Sequence, residues 1–579
     1  MARKFAGLKL SAALAATALV LTACGSSEGD GEATAGGTLT FLTQAEQTLH
    51  LDPQRNYTGL DLAFANTYMQ RTLTAYNPAP GEAGTEIIPD LATDLGTPNA
   101  DATEWSFTLR DGGTFEDGSA ITCADVAYGV SRIFATDIIV DGPTYAITML
   151  DIPKAEDGSS AYKGPYTGEG QDLYDSAVTC SEDNKTITFK LAFPVADFNY
   201  TVTLLAFSPV PAALDTGESY DDKPVSSGPY KIQEYTKGTQ LVLVRNEEWS
   251  KDSDPFRKAL PDSVVIKYAQ DPELVDEALI NGIGDGETAL GLDHVFPTNL
   301  ATVFNDPALE DRRLNEFDPY VRYFAFNVSK LPCVEVRKAI YYALDREGLL
   351  VIGGGELFYG TYGDGLIKPT GLPADYQPIT GYEDILPGGN PEKATELLEA
   401  AKTSCPDVYA KVTGEGIIID LAKTPTSEKS VAVWTDSLAA AGIKATANLI
   451  EPGQYYGVVL NPDQQGDLSS AGWGPDWLNA STVVPELVAD GGFNLSRNQD
   501  DPAYADFVAR SNEAKRTTDR AAQGAIWAEL NQTTMDNAWV LPTFFTKTQY
   551  LWGSRVTGVY MWNAYGSPSF NDMGVVAAE

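Results

Sequence analysis

The chain has 579 residues, with 80 acidic side chains against 40 basic ones and a formal charge of −40. Such a surface repels phosphate backbones and anionic lipid, which excludes nucleic acid as a partner and adsorption to a membrane. Only His50 and His294 are present, which excludes a histidine-rich metal centre, and the length outgrows a single hydrophobic core, so two or more lobes are expected.

At the start, Arg3, Lys4 and Lys9 precede an apolar run over residues 10–21. This is the pattern of a secretory signal peptide over residues 1–23, with a core too short to span a bilayer comfortably. It ends in Leu21-Thr22-Ala23-Cys24, which resembles a bacterial lipobox. The resemblance implies that Cys24 is lipidated and becomes the first mature residue. Residues 24–37 follow as a flexible tether of Gly, Ser, Ala and acids with nothing to bury. The expected location is the outer face of the bacterial cytoplasmic membrane, with contact to the membrane through the lipid anchor only.

From Thr38 onward short strands alternate with helices. Residues 38–43 read as a strand and residues 60–73 as a helix with Leu62, Ala65, Asn66 and Met69 on one side. Trp105, Phe107 and Leu109 alternate with polar residues in a strand closed by Asp111-Gly112-Gly113, and Ile187, Phe189 and Leu191 repeat the pattern; the two strands are expected to share a sheet. Between them residues 125–134 look helical, while residues 142–170, rich in Gly, Pro, Ser and Tyr, read as a surface excursion. Ser227-Gly228-Pro229-Tyr230 is a turn into a hairpin over residues 231–235 and 240–245. Asp271-Pro272 starts a helix that Gly282 stops.

A second block opens near Phe317. Residues 320–328 form an aromatic strand, followed by a helix over residues 334–345 and another from Asn390-Pro391 to Lys402. Strands over 417–421 and 444–450 flank a helix over 427–441 closed by Gly442, a β, α, β rhythm that indicates an α/β lobe. Helices over 502–513 and 519–536 lead to a strand at 538–543 and an aromatic tail.

Cys123, Cys180, Cys333 and Cys405 lie in an oxidising compartment, where three pairings are possible. Cys123 with Cys180 and Cys333 with Cys405 is preferred, because each pair then falls inside one lobe. Their spacings do not resemble a zinc site, and neither a metal nor a cofactor is expected.

Between the second-block strands and the last helices stands Gly472-Trp473-Gly474-Pro475-Asp476-Trp477. Two glycines and a proline make it a rigid turn, in which Trp473 and Trp477 supply flat apolar walls and Asp476 a fixed negative charge. This suits a ligand with a cationic end, such as the free amino terminus of a peptide. In isolation, core tryptophans and a capping aspartate would account for these six residues better.

The order of segments gives this stretch its meaning. Leu51-Asp52-Pro53, the run from Trp105 to Gly118, Asp125-Val126, Ser227-Gly228-Pro229-Tyr230, Arg245-Asn246, Phe326-Asn327, Val336-Arg337-Lys338-Ala339 with Leu344-Asp345-Arg346, and Trp473 to Asp476 follow one another in sequence. In this order they resemble the peptide-binding solute receptors of ABC importers, solute-binding protein family 5, which includes oligopeptide- and dipeptide-binding lipoproteins. The resemblance runs from about Leu39 to the C-terminus.

It implies a large type II clamshell: two α/β lobes with mixed sheets, joined by two crossing strands, with the ligand enclosed between them. Lobe I would be discontinuous, residues 38–318 and 540–579 with an added subdomain at about 76–186, and lobe II would be residues 319–539. The crossings would lie near residues 317–323 and 539–543. The position matching Asp476 receives the ligand's α-ammonium in peptide-binding members, with Trp473, Gly474 and Trp477 around it. Tyr57 and Tyr145 lie in segments that line the pocket. Lys429 matches a basic residue that receives the ligand's carboxylate in some dipeptide-binding relatives.

Where family members often follow the aspartate with an aromatic and then an acid-proline pair, here Trp477 is followed by Leu478-Asn479-Ala480. Sugars, opines and chelates are therefore alternative ligands on the same scaffold. A secreted hydrolase is the rival class, but there is no Gly-x-Ser-x-Gly, His-Glu-x-x-His or P-loop. The expectation is a monomeric, non-enzymatic binding protein that delivers short peptides to ABC permease subunits.

Overall fold

The computed structural model describes residues 35–577 other than 255 and 490–492. The signal peptide, Cys24 and most of the tether lie outside the described residues. None of the helices among the described residues is long and apolar enough to cross a membrane.

Alternation of apolar and polar residues builds the first sheet. Thr38–Leu42 lies parallel to both Ser263–Lys267 and Ala289–Gly291, and the hairpin Tyr230–Thr236 and Gln240–Arg245 completes five strands. Leu39 and Phe41 are fully buried beneath it, and Phe41 packs edge-on against Phe64 of the helix Gly59–Tyr68 and against Phe570 near the C-terminus. The tail around Phe570 therefore packs on this first sheet although it lies at the far end of the sequence. A separate four-stranded sheet pairs Glu104–Thr108 with Thr186–Lys190 in the expected manner, Trp105 opposite Phe189 and Phe107 opposite Ile187.

The second lobe is built on a six-stranded mixed sheet. Its order is Thr361–Tyr362, Val540–Leu551, Arg313–Phe326, Leu468–Trp473, Ile417–Ala422 and Ala445–Ile450. The β, α, β unit is present: Ile417–Ala422 runs parallel to Ala445–Ile450, with the helix Pro425–Ala440 between them. That helix starts earlier than the sequence suggests, because Thr424 caps the backbone N–H of Ser427 and Pro425 occupies its first turn.

Arg313–Phe326 and Val540–Leu551 are the two crossing strands, antiparallel to each other. Both are longer than their hydrophobic patterns suggest, because each pairs along the other from Arg313 opposite Leu551 to Ala325 opposite Val540. Their register shifts between Phe317 and Val321, so Asp318, Pro319 and Tyr320 bulge out of the ladder. The carboxylate of Asp318, buried in this bulge, accepts from the Lys368 ammonium at 2.8 Å and the Thr546 hydroxyl at 2.6 Å. The resulting architecture is the expected two-lobe α/β clamshell.

Two sequence expectations change. Residues 142–170 are not merely a surface excursion: they contain the helix Tyr145–Met149, and Tyr162 is fully buried against Phe134 and Tyr174. The first-lobe helix ends at Tyr68 rather than Leu73, since the chain turns away to place Arg71 in a buried cluster with Asp90, Asp254 and Arg257. Burial pushes the Asp90 carboxyl up, but the two guanidiniums outweigh it and hold it below its ordinary value.

Most motif residues turn out to be scaffold. Asp52 receives two hydrogen bonds from buried Arg132, and Arg337 donates to the carbonyls of Leu331, Asn537 and Ala538. Asp345 caps the helix Arg346–Ile352, and Gly228 packs where a Cβ would lie 2.8 Å from the Tyr68 and Met69 backbone. Two disulfides, Cys123–Cys180 and Cys333–Cys405, join the pairs preferred from sequence, with Cα separations of 5.8 and 6.0 Å. Glu335 lies beside the second pair, but those sulfurs are joined to each other.

Candidate functional site

The strand Leu468–Trp473 hydrogen-bonds to the first crossing strand, with Trp473 opposite Val321 and Gly472 opposite Arg322. It ends where the crossing strand bulges, so the residues after it are released into the space between the lobes. Gly474 is required there by crowding: a Cβ would lie 2.5 Å from the Tyr320 ring. Pro475 then stiffens the exit, and Asp476 follows, half-buried in the cleft.

Two tyrosines of the first lobe converge on Asp476. Tyr57 donates its hydroxyl to Oδ1 at 2.6 Å and Tyr145 donates to Oδ2. The structure thus brings Asp476 together with two residues 419 and 331 positions before it in the chain. Burial raises the Asp476 carboxyl above its ordinary value, and the two hydroxyl donations pull it part of the way back. Burial first, then the Asp476 charge, push both tyrosine hydroxyls far up, so they remain donors at any physiological pH. Among the described residues no Lys, Arg or His forms an ion pair with Asp476. Burial raises the Glu486 carboxyl, the Lys515 charge pulls it part of the way back, and the Asp476 charge adds to the rise. The cleft here presents a carboxylate whose oxygens are held by the two tyrosine hydroxyls and which has no ion-pair partner among the described residues.

A cavity of about 310 Å³ opens onto Asp476, lined also by Tyr57, Gly474, Tyr320, Tyr76 and Tyr565. The two tryptophans do not line it, contrary to the expectation of flat walls. Trp477 is buried to 3% exposure, meets Tyr145 edge-to-face at 4.8 Å, and donates its indole N–H to Asp197 of the first lobe at 2.7 Å. Trp473 packs on Phe493 and donates to the Thr482 carbonyl at 2.7 Å. Both indoles hold the turn in place, one against the facing lobe and one against its own.

The lobes meet around this turn. Ser481 also donates to Asp197, the Leu478 N–H donates to the Tyr76 hydroxyl at 2.7 Å, and the Ala196 N–H donates to the Lys515 carbonyl at 2.9 Å. Asp197, Tyr76 and Ser481 carry no sequence signal, since each is an ordinary polar residue in a segment without a motif. Lys429 lies on the exposed side of the helix Pro425–Ala440; the neighbouring Thr426, Ser427 and Ser430 line a cavity of about 700 Å³ in the second lobe, and Lys429 does not.

Comparison with known proteins agrees with this geometry. Residues 86–494 match the family described as bacterial extracellular solute-binding proteins, family 5 middle. The solved structure of a clavulanic acid biosynthesis oligopeptide binding protein superposes with a TM-score of 0.83 at 30% identity, covering 94% of this chain and 96% of that one. A probable D,D-dipeptide-binding periplasmic protein of Escherichia coli is 26% identical over 55% of this chain and 55% of its own length. The periplasmic oligopeptide-binding protein of Salmonella typhimurium is 23% identical over 81% of this chain and 82% of its own. These relatives are binding proteins rather than enzymes. The chain belongs to the family 5 bacterial extracellular solute-binding proteins.

Proposed function

We propose that this protein captures short peptides between its lobes and delivers them to an ABC permease at the outer face of the cytoplasmic membrane, where a lipid on Cys24 anchors it. The observation that carries the reading is the Asp476 carboxylate, fixed in the cleft by two tyrosine hydroxyls and without an ion-pair partner among the described residues. A peptide's α-ammonium supplies that charge and three donors, one for each carboxylate oxygen and one for a neighbouring acceptor. Tyr57 and Tyr145 orient Asp476, Gly474 admits Tyr320 close to the backbone, and Trp473 and Trp477 fix the turn. Main-chain pairing along an extended ligand is indifferent to side chains and supports tolerance of peptide sequence. ATP hydrolysis belongs to the partner subunits, and no cofactor takes part.

Native mass spectrometry of the purified protein tests the reading. A mixed population of short peptides, one per protein and released on denaturation, is the expected result. A single sugar, opine or chelate in their place would overturn the peptide assignment. Turnover of the bound species would overturn the binding-protein role.

A further inference from the structure

We infer that Arg322 is the receptor for the ligand's terminal carboxylate. This rests on the peptide reading above and adds to it the opposite pole of the site. Arg322 sits on the first crossing strand between Val321 and Tyr323, which are 2% and 1% exposed. Strand alternation therefore turns its side chain away from the core, and it remains half-buried. Its guanidinium lies over the Tyr320 ring, 5.3 Å from the centroid, and has no hydrogen-bond or ion-pair partner among the described residues. That distinguishes it from Arg71, Arg132, Arg257 and Arg337, each of which is buried and paired with an aspartate.

The cavities give it a route to Asp476. The 310 Å³ cavity at Asp476 shares Thr58, Gly59 and Tyr320 with a cavity of about 730 Å³ along the crossing strands. The latter shares Arg322 and Tyr359 with the 700 Å³ cavity of the second lobe. Arg322 thus borders both of the larger spaces, and a ligand running from Asp476 past Tyr320 reaches it. Lys547 also borders the middle cavity but not the second-lobe one.

The ladder bounds the span. Gly472 lies opposite Arg322, and the chain from Gly472 to Asp476 covers at most ~14 Å when extended. Adding one strand spacing of ~5 Å places the Asp476 and Arg322 backbones no more than ~19 Å apart. An extended peptide rises ~3.3–3.6 Å per residue, so about five residues suffice to bridge that backbone distance. A planar guanidinium matches a carboxylate in a bidentate fashion, which an exposed Lys429 outside the cavity does not.

Calorimetric titration with trialanine, its C-terminal amide and its N-acetyl form tests this on the wild type, Arg322→Gln and Arg322→Lys. The wild type is expected to prefer the free acid over the amide by ~10- to 100-fold, the worth of a charge-assisted bidentate pair. Arg322→Gln should bind acid and amide alike, Arg322→Lys should recover part of the preference, and N-acetylation should still weaken binding to both variants. Retention of the acid preference in a folded Arg322→Gln protein overturns the inference and points to Lys547, while the N-acetyl penalty shows the peptide reading intact. An absent acid preference in the wild type also overturns it. If none of the three probes binds the wild type, the peptide reading falls and the Arg322 assignment falls with it.

Discussion

Replacing Asp476 by Asn removes one charge and almost no volume, which isolates the electrostatic part of the site. Asn can accept from Tyr57, and its amide can donate to the Tyr145 oxygen, so the tyrosine pair keeps its partners. The apo protein loses a carboxyl that burial already disfavours in its charged form, so its stability should change little. The liganded protein loses the partner of the ammonium. Breaking a fully buried pair costs ~3–5 kcal/mol; for a half-buried carboxylate with Glu486 nearby, solvent and the second acid reduce this to about 2–3 kcal/mol. At 1.4 kcal/mol per tenfold, affinity for trialanine should fall roughly 30- to 150-fold. N-acetyltrialanine binding to the wild type should show a loss of the same order, and the two changes combined should not add, because they delete one interaction. An unchanged dissociation constant in Asp476→Asn, with the fold intact by circular dichroism, would refute the reasoning.

Acidification should weaken ligand binding as the pH falls through the raised Asp476 value, because the ammonium needs the ionised carboxylate; titrations in buffers of different ionisation enthalpy should show proton release on binding in that range. The same carboxyl holds its proton more tightly folded than unfolded, so its contribution to apo stability improves as pH falls, opposite in sign to its effect on affinity. Lys368, pushed down to about 8 mainly by burial, with Asp318 opposing, should make stability rise with pH between 8 and the ordinary lysine value, read by denaturant midpoints. Lys368→Met leaves Asp318 without its ammonium in the bulge of the crossing strand and should cost about 3–5 kcal/mol in urea unfolding, and Lys368→Met with Asp318→Leu should recover most of it. Gly474→Ala meets the Tyr320 ring and should weaken trialanine binding more than it lowers the melting temperature, because the displaced ring borders the ligand cavity.

Elements with strong local signals are legible in the sequence. Asp271 accepts from the Glu273 and Leu274 N–H groups, Gly282 ends that helix at φ 64°, and the Trp105 and Ile187 strands pair as their alternation requires. Asp476 is legible because its neighbours, Gly474 and Pro475, forbid regular structure. Tyr145 is visible only through resemblance, since its segment carries no periodic pattern and reads as loop. Trp477 misleads for a tertiary reason: its indole meets Asp197 and Tyr145, both of them far off in the chain. The full length of the crossing strands is hidden because Pro319 and Pro542 interrupt the alternation and only mutual pairing extends them. Arg322 does leave a trace, a single guanidinium at a polar position of an aromatic strand, but sequence does not show that it lacks a partner.

The contacts on Asp197 bear on kinetics. Trp477 and Ser481 both donate to this carboxylate from the facing lobe, so the lobes carry favourable contacts with each other that need no solute to form. A clasp of this kind must part before a solute can enter the cleft. Observed association rates should therefore level off at high solute concentration, at the rate of spontaneous opening. Such a clasp trades speed of capture for retention of what has been caught.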